Sequence, residues 1–366
     1  MTTIVIAPDA FKGTATTHDA AAYLAEGIAE ALPDAELVLV PMADGGEGTA
    51  RCFDGTPVTL PTTDAAGRLT EATYMFNDGD VAEAYIDVAA ASGLPAVADH
   101  PVPLTGDTYG TGVLIADAVT RGAQRIILGL GGTATVDGGT GILVALGATP
   151  QDKAGHPLRP GGGSLTELAG FDTAQLNIPA AAVEWVLLTD VTNPATGPDG
   201  AAAVFGPQKG ATPEDITLLD AALAQLCDIC EVDPTTPGFG AAGGLPIGIT
   251  WLSTLMHGNH SHIHVLPGAR MVAESVGLPE LIHSGHRRVH ATREIGPALV
   301  ELVVSNGSCA ESGSGHHLQD GVVIVGHSNS GCSPVDAVVD LFEVTFWRGP
   351  RPGQGVVFVN SRFMHW

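Results

Sequence analysis

The sequence predicts an α/β protein built on a mainly parallel sheet. Short apolar runs such as Ile4-Val-Ile6, Leu37-Val-Leu-Val40 and Trp185-Val-Leu-Leu188 read as buried strands. Helical patterns separate them, and alternation of this kind gives a parallel sheet covered on both faces. The segments that follow the strands carry glycines, threonines and carboxylates, and ligands in such sheets bind at the carboxyl ends of strands.

Each element has its own justification. Ile4–Ile6 is a buried strand, and Ala20–Leu32 is an alanine-rich amphipathic helix. Leu37–Val40 is the next strand. Val113–Thr120 is helical, Arg125–Leu128 is a strand, and Ile142–Leu146 is again helix. Trp185–Leu188 is a strand. Glu214–Cys230 is a helix, with Thr212-Pro213 supplying its cap and first turn.

At 366 residues the chain is long enough for two domains with well-buried cores. Its net charge of −25 argues against nucleic acid or an anionic membrane as partner. An acidic body also repels phosphorylated ligands, so a phosphate site needs local donors or a cation. There is no apolar run of 18 or more residues, and the chain opens on a strand pattern without a basic leader. The five cysteines have no framework spacing, which fits a reducing cytoplasm. Cys227 and Cys230 form a CxxC in a helical run with no second pair at zinc spacing. Of the three lysines, Lys12, Lys153 and Lys209, two lie in glycine-containing turns.

Four strand ends carry chemistry. Gly129-Leu-Gly-Gly-Thr-Ala-Thr-Val-Asp-Gly-Gly139 packs five glycines, two threonines and one carboxylate into eleven residues. Glycine lets a backbone approach a ligand and present its N–H groups. This makes Gly131, Gly132, Thr133 and Thr135 candidates for phosphate and Asp137 a candidate for its metal. Asp44-Gly-Gly-Glu47-Gly-Thr49 sets two carboxylates around a turn, either a hard-cation site or a cap on the following helix. Asp9 and Lys12 follow the first strand: an exposed ion-paired turn, or a substrate contact beside a phosphate-neutralising lysine. Asp190 and Asn193 follow Leu188 and resemble a carboxylate–amide magnesium pair or a general base. Gly206-Pro-Gln-Lys209-Gly and Gly240-Ala-Ala-Gly243-Gly244 offer further phosphate contacts.

Two other chemistries compete. Gly129-x-Gly131-x-x-Ala134 after a strand resembles a dinucleotide fingerprint, which implies a nicotinamide-dependent hydroxy-acid dehydrogenase, but Gly138-Gly139 interrupts the following helix. His260, His262 and His264 alternate and would share one face of a strand, as metal ligands or as a polar face.

Taken together, six segments resemble the bacterial type 1 glycerate kinases. They are Ala7–Gly13, Pro41–Thr49, Gly131–Gly139, Thr189–Gly197, Phe205–Gly210 and Gly240–Gly244. The resemblance implies phosphorylation of D-glycerate by ATP with Mg2+, usually to 2-phosphoglycerate and otherwise to the 3-phosphate. It implies Asp190, Lys12 and Asp9 as catalytic residues. Gly131, Gly132, Thr133, Thr135, Lys209, Gly243 and Gly244 would bind the nucleotide, and Asp44, Glu47, Asp137 and Asn193 the metal. It also implies two α/β domains: a flavodoxin-like outer domain from residues 1–72 and 285–366, and an inserted domain over 73–284. D-glycerate is the expected partner and a homodimer the expected assembly.

The likeness stops near Ser284. Relatives carry a Gly-Glu-Gly-Arg motif followed by Asp, Gln-Thr and Gly-Lys, where this chain has His286-Arg-Arg-Val-His-Ala-Thr-Arg-Glu294. Composition shifts at the same place: the first 284 residues sum to −24 (9 basic, 33 acidic), the last 82 to −1 (6 basic, 7 acidic). A reading-frame change in the coding sequence is the expected cause, and an impaired kinase its expected consequence.

Overall fold

The computed structural model describes residues 3–8, 16–259, 262–268, 271, 301–302, 323–324, 342–348 and 354–361. In chain order the elements begin with β1 (Thr3–Pro8), α1 (Thr17–Ala31), β2 (Glu36–Leu39), β3 (Thr56–Thr63), β4 (Leu69–Asn77) and β5 (Glu83–Asp87). Then come α2 (Ala89–Ser92), α3 (Tyr109–Thr120), β6 (Arg125–Gly129), α4 (Thr140–Ala145), β7 (Thr149–Gln151) and β8 (Gly170–Asp172). They continue with α5 (Ile178–Ala182), β9 (Glu184–Leu188), α6 (Ala201–Phe205), α7 (Pro213–Cys230), α8 (Leu245–His257) and β10 (Ile263–Leu266). The last are β11 (Glu301–Leu302), β12 (Val323–Ile324), β13 (Phe342–Arg348) and β14 (Gln354–Ser361).

The chain divides into two compact units, residues 1–43 with 272–366, and residues 44–271. The first holds a four-stranded sheet in the order β13-β14-β1-β2. β1 runs parallel to β2 and β14, while β13 is antiparallel to β14. α1 starts earlier than the apolar pattern predicts. Thr16 accepts the Asp19 amide and Asp19 reaches back to the Thr16 backbone, a capping box that satisfies two otherwise orphaned amides.

The second unit carries a six-stranded sheet in the order β10-β9-β6-β5-β4-β3. Its first four strands are mutually parallel, and β4 and β3 add an antiparallel hairpin. The boundary expected at 72/73 falls inside β4. Pairing of β4 with β5 commits the hairpin to this sheet, and the observed divisions lie at 43/44 and 271/272. Ile126, Leu128, Trp185 and Leu187 point into a core shared with α3, α4 and α8 and are at most 1% exposed. Each such aliphatic side chain contributes roughly 1.5–3 kcal/mol. α7 forms as expected, with Thr212 as cap and Pro213 in its first turn, and packs a second cluster through Leu219, Leu223 and Leu226. At the amino ends of the parallel strands, Arg125 binds Glu83 and Glu184 across three neighbouring strands. That row of charges fixes the register at the edge opposite the loops described next.

Candidate active site

The carboxyl ends of β5, β6, β9 and β10 lie side by side at Asp87, Gly129, Leu188 and Leu266. Across them lies the segment 44–48. The Gly131 amide donates to the Gly45 carbonyl at 2.7 Å, and the Leu130 amide donates to that of Leu188 at 3.0 Å. A Cβ on Gly131 would stand 2.6 Å from the Gly46 Cα, and one on Gly45 would stand 2.4 Å from the Leu188 oxygen. Gly45 also has φ +104°, which side chains with a Cβ rarely adopt. Backbone therefore meets backbone, and three of the strand-end segments read from the sequence form one ledge.

Polar side chains stand on this ledge. Asp190 follows β9 and is exposed. Asp44 is half-buried and accepts the Gly46 amide at 2.9 Å, while Glu47 is exposed. Asn193 donates its side-chain amide to the Asp199 carbonyl at 2.8 Å. Gly132 is exposed with φ +73°. Among the described residues no group of three His, Cys, Asp or Glu side chains is arranged to hold a metal alone. Magnesium needs none: it is held by one or two carboxylates together with substrate phosphates. Asp44, Glu47 and Asp190 are carboxylates that could serve in that way.

Asp137 is not. It is fully buried, and one carboxylate oxygen accepts the Thr108 amide (2.9 Å), the Thr108 hydroxyl (2.8 Å) and the Gly141 amide (2.9 Å). The other accepts the Gly139 amide at 3.2 Å. Expected as a metal ligand, it is instead committed to four protein donors that tie the starts of α3 and α4 to the glycine loop.

Lys209 is likewise turned inward. It is 3% exposed, and its Nζ donates to the Thr135 carbonyl at 2.7 Å and the Thr133 hydroxyl at 3.3 Å. It braces the glycine loop from behind. Burial pushes its ammonium down to about 8, with the charge of Asp137 opposing that shift. The unfolded chain holds this proton up to its ordinary value of 10.5. The contribution of Lys209 to stability should therefore rise between those limits as the buried charge is lost, by about 3 kcal/mol in all. The buried thiols of Cys227 and Cys230 oppose this rise in both proteins, so the test is the difference: urea unfolding from pH 7.5 to 10.5 should show the wild type gaining by this amount relative to Lys209→Met.

Gly243 and Gly244, expected as nucleotide contacts, support the loop from another side. The Gly138 amide donates to the Gly243 carbonyl at 3.0 Å, and a Cβ on Gly243 would stand 2.1 Å from the Thr135 oxygen. Thr133 is 5% exposed and Thr135 fully buried, so on the outer side of the loop Gly131 and Gly132 are the accessible members.

Asp87 escaped the sequence reading, because β5 was not recognised as a strand. It is 8% exposed, accepts the Gly48 amide at 2.8 Å and the Ala50 amide at 2.9 Å, and burial pushes its carboxyl up to about 6. Asp9, Lys12 and His260 lie outside the described residues. His264 pairs with Glu184 at 3.2 Å, and the His262 ring stacks on His257 at 3.7 Å. These two histidines have separate partners. Cys227 and Cys230 face the core of α7, where burial raises both thiols, that of Cys227 to about 12. Neither forms a thiolate at neutral pH. The dinucleotide fingerprint fails in space: α4 begins only at Thr140, so no helix N-terminus opens behind Gly131.

Comparison with known proteins decides the family. A family model for the glycerate kinase family matches residues 4–287. The chain belongs to the glycerate kinase family. A glycerate kinase of Halalkalibacterium halodurans is 39% identical over 293 residues, 77% of this kinase and 74% of the relative. One of Bacillus subtilis is 42% identical over 66% of each chain. A glycerate 2-kinase of Escherichia coli is 38% identical, covering 78% of this chain and 77% of the relative. The solved structure of a glycerate kinase 2 from Salmonella typhimurium LT2 superposes with a TM-score of 0.66 at 37% identity, over 77% of this chain and 76% of that one. The kinase is thus an enzyme that phosphorylates glycerate, and the end of the family match at 287 coincides with the change in composition. No described helix of the kinase is long and apolar enough to cross a membrane.

Proposed function

We propose that the kinase transfers a phosphoryl group from ATP to the 2-hydroxyl of D-glycerate, with Asp190 as the base. One observation carries this reading: an exposed carboxylate follows β9, whose last residue pairs with Gly129 at the start of the glycine loop, on a ledge with exposed backbone at Gly132. Phosphoryl transfer demands positioning and charge neutralisation more than covalent help. Magnesium-ATP, when bound, supplies the phosphoryl group and the neutralising cation. Gly131 and Gly132 would approach the phosphates, with the Lys209 charge behind them. Asp44 and Glu47 would hold the metal, with the Asn193 amide oxygen as a further ligand. Asp190 would accept the hydroxyl proton as the oxygen attacks. The Escherichia coli relative, named glycerate 2-kinase, supports the choice of the 2-hydroxyl.

The test is ADP release with D-glycerate, followed by proton-coupled phosphorus NMR of the product. A phosphate on the 2-oxygen neighbours one carbon-bound proton and gives a doublet; on the 3-oxygen it neighbours two and gives a triplet. A triplet would reassign the reaction to the 3-hydroxyl. The end of the family match at residue 287 favours a second reading, an impaired kinase. That reading predicts the same product at a lower kcat, which rises when the relatives' C-terminal segment replaces residues 285–366.

A further inference from the structure

The carboxylate of Asp87 lies under the ledge and touches none of the groups assigned to substrate. We propose that Asp87 is a positioning residue for phosphoryl transfer, acting through the loop that bears Asp44 and Glu47. This inference rests on the function proposed above.

Asp87 closes β5 and sits in register with Gly129 of β6. Its two oxygens divide between two amides of one loop: Oδ2 accepts from Gly48 and Oδ1 from Ala50. Those amides open the short 3-10 turn at Thr49–Cys52, whose start at Gly48 has φ +91°. The Thr49 hydroxyl closes the loop on the Gly46 carbonyl at 2.7 Å. The carboxylate thus anchors one end of the Asp44–Ala50 segment, and the backbone contacts of Gly45 and Gly46 anchor the other.

The space around Asp87 is made for this bond. A Cβ on Gly129 would stand 3.0 Å from Oδ1 and 2.9 Å from the Gly45 oxygen. Only glycine there lets the carboxylate and the loop share the end of β6. An ionised carboxyl in so buried a place costs free energy unless its donors are fixed. Acceptance of one N–H group at each of two oxygens is something asparagine cannot reproduce, because its Nδ2 donates and would face one of the two amides. Arg51 and Glu47 are the charged neighbours, acting in opposite senses. Displacing a metal-bearing loop by about 1 Å costs on the order of 100-fold in rate.

The experiment pairs amide exchange with kinetics. In the ligand-free wild type, the Gly48 and Ala50 amides should exchange as slowly as those of β6. In Asp87→Asn their exchange should accelerate at least about tenfold, and kcat should fall about 30- to 100-fold with KM for D-glycerate nearly unchanged. In an Asp44→Asn background the same substitution should cost less than about threefold, because the loop it positions has already lost its ligand. Fast exchange of the two amides in the wild type would overturn the proposal, even if Asp87→Asn does not fold. So would a full, multiplicative loss in the Asp44→Asn background. Amide protection is read without turnover, so failure of the D-glycerate assay would sink the proposed function separately.

Discussion

Asp190→Asn is expected to lower kcat about 100- to 10,000-fold while thermal unfolding stays within a degree or two of the wild type. That range is what proton transfer by a positioned side chain is worth. Asparagine keeps the size of aspartate and removes its basicity. The side chain is exposed at the end of β9, and exposed substitutions away from caps and cores usually change stability by no more than about 0.5 kcal/mol. ADP release with saturating D-glycerate and ATP measures the first quantity, and circular dichroism on heating the second. Turnover near the wild-type rate would remove Asp190 from the role of base.

Asp137→Ala should damage the fold rather than the chemistry alone. Removing the carboxylate strands the Thr108 amide and hydroxyl and the amides of Gly139 and Gly141 in a site closed to water. At roughly 1–3 kcal/mol for each stranded donor, and allowing for relaxation, the loss should be about 4–5 kcal/mol. That is a large share of a typical domain's stability. Urea unfolding of the two proteins gives the difference directly. If Asp137 instead served the metal and bore no structural load, the variant would unfold at the wild-type urea concentration and excess magnesium would restore part of its rate.

The parts of this fold written locally were legible in the sequence. Apolar runs gave β1, β6 and β9, and a cap with a proline in the first turn gave α7, because each depends on neighbours within one turn or one strand. The hairpin β3–β4 was not legible. Thr59 and Thr73 face each other across it and its burial is partial, so no strong apolar run marks it. The site divides the same way. That glycines and carboxylates gather at strand ends is visible in one dimension. Which carboxylate faces outward is not: Asp137 is claimed by Thr108, 29 residues away, and Asp87 by Ala50, 37 residues away. Lys209 illustrates the same limit, since lysine is seldom buried and nothing local announces that Thr135 awaits it.

The backbone contacts among Gly45, Gly46, Gly129 and Gly131 carry an evolutionary consequence. A side chain at Gly45, Gly129 or Gly131 would collide with main-chain atoms of a neighbouring segment, and one at Gly46 with the Asp44 carboxylate. A lineage exploring new acceptor alcohols therefore has little freedom in the ledge itself. Innovation has to enter through outward side chains to which no role in the chemistry is assigned, such as the exposed Thr192 beyond β9. A saturation library should accordingly return active survivors at Thr192 and almost none at Gly45, Gly129 and Gly131, whose added Cβ atoms would meet backbone. The architecture separates an inherited platform from a small set of positions on which selection can act.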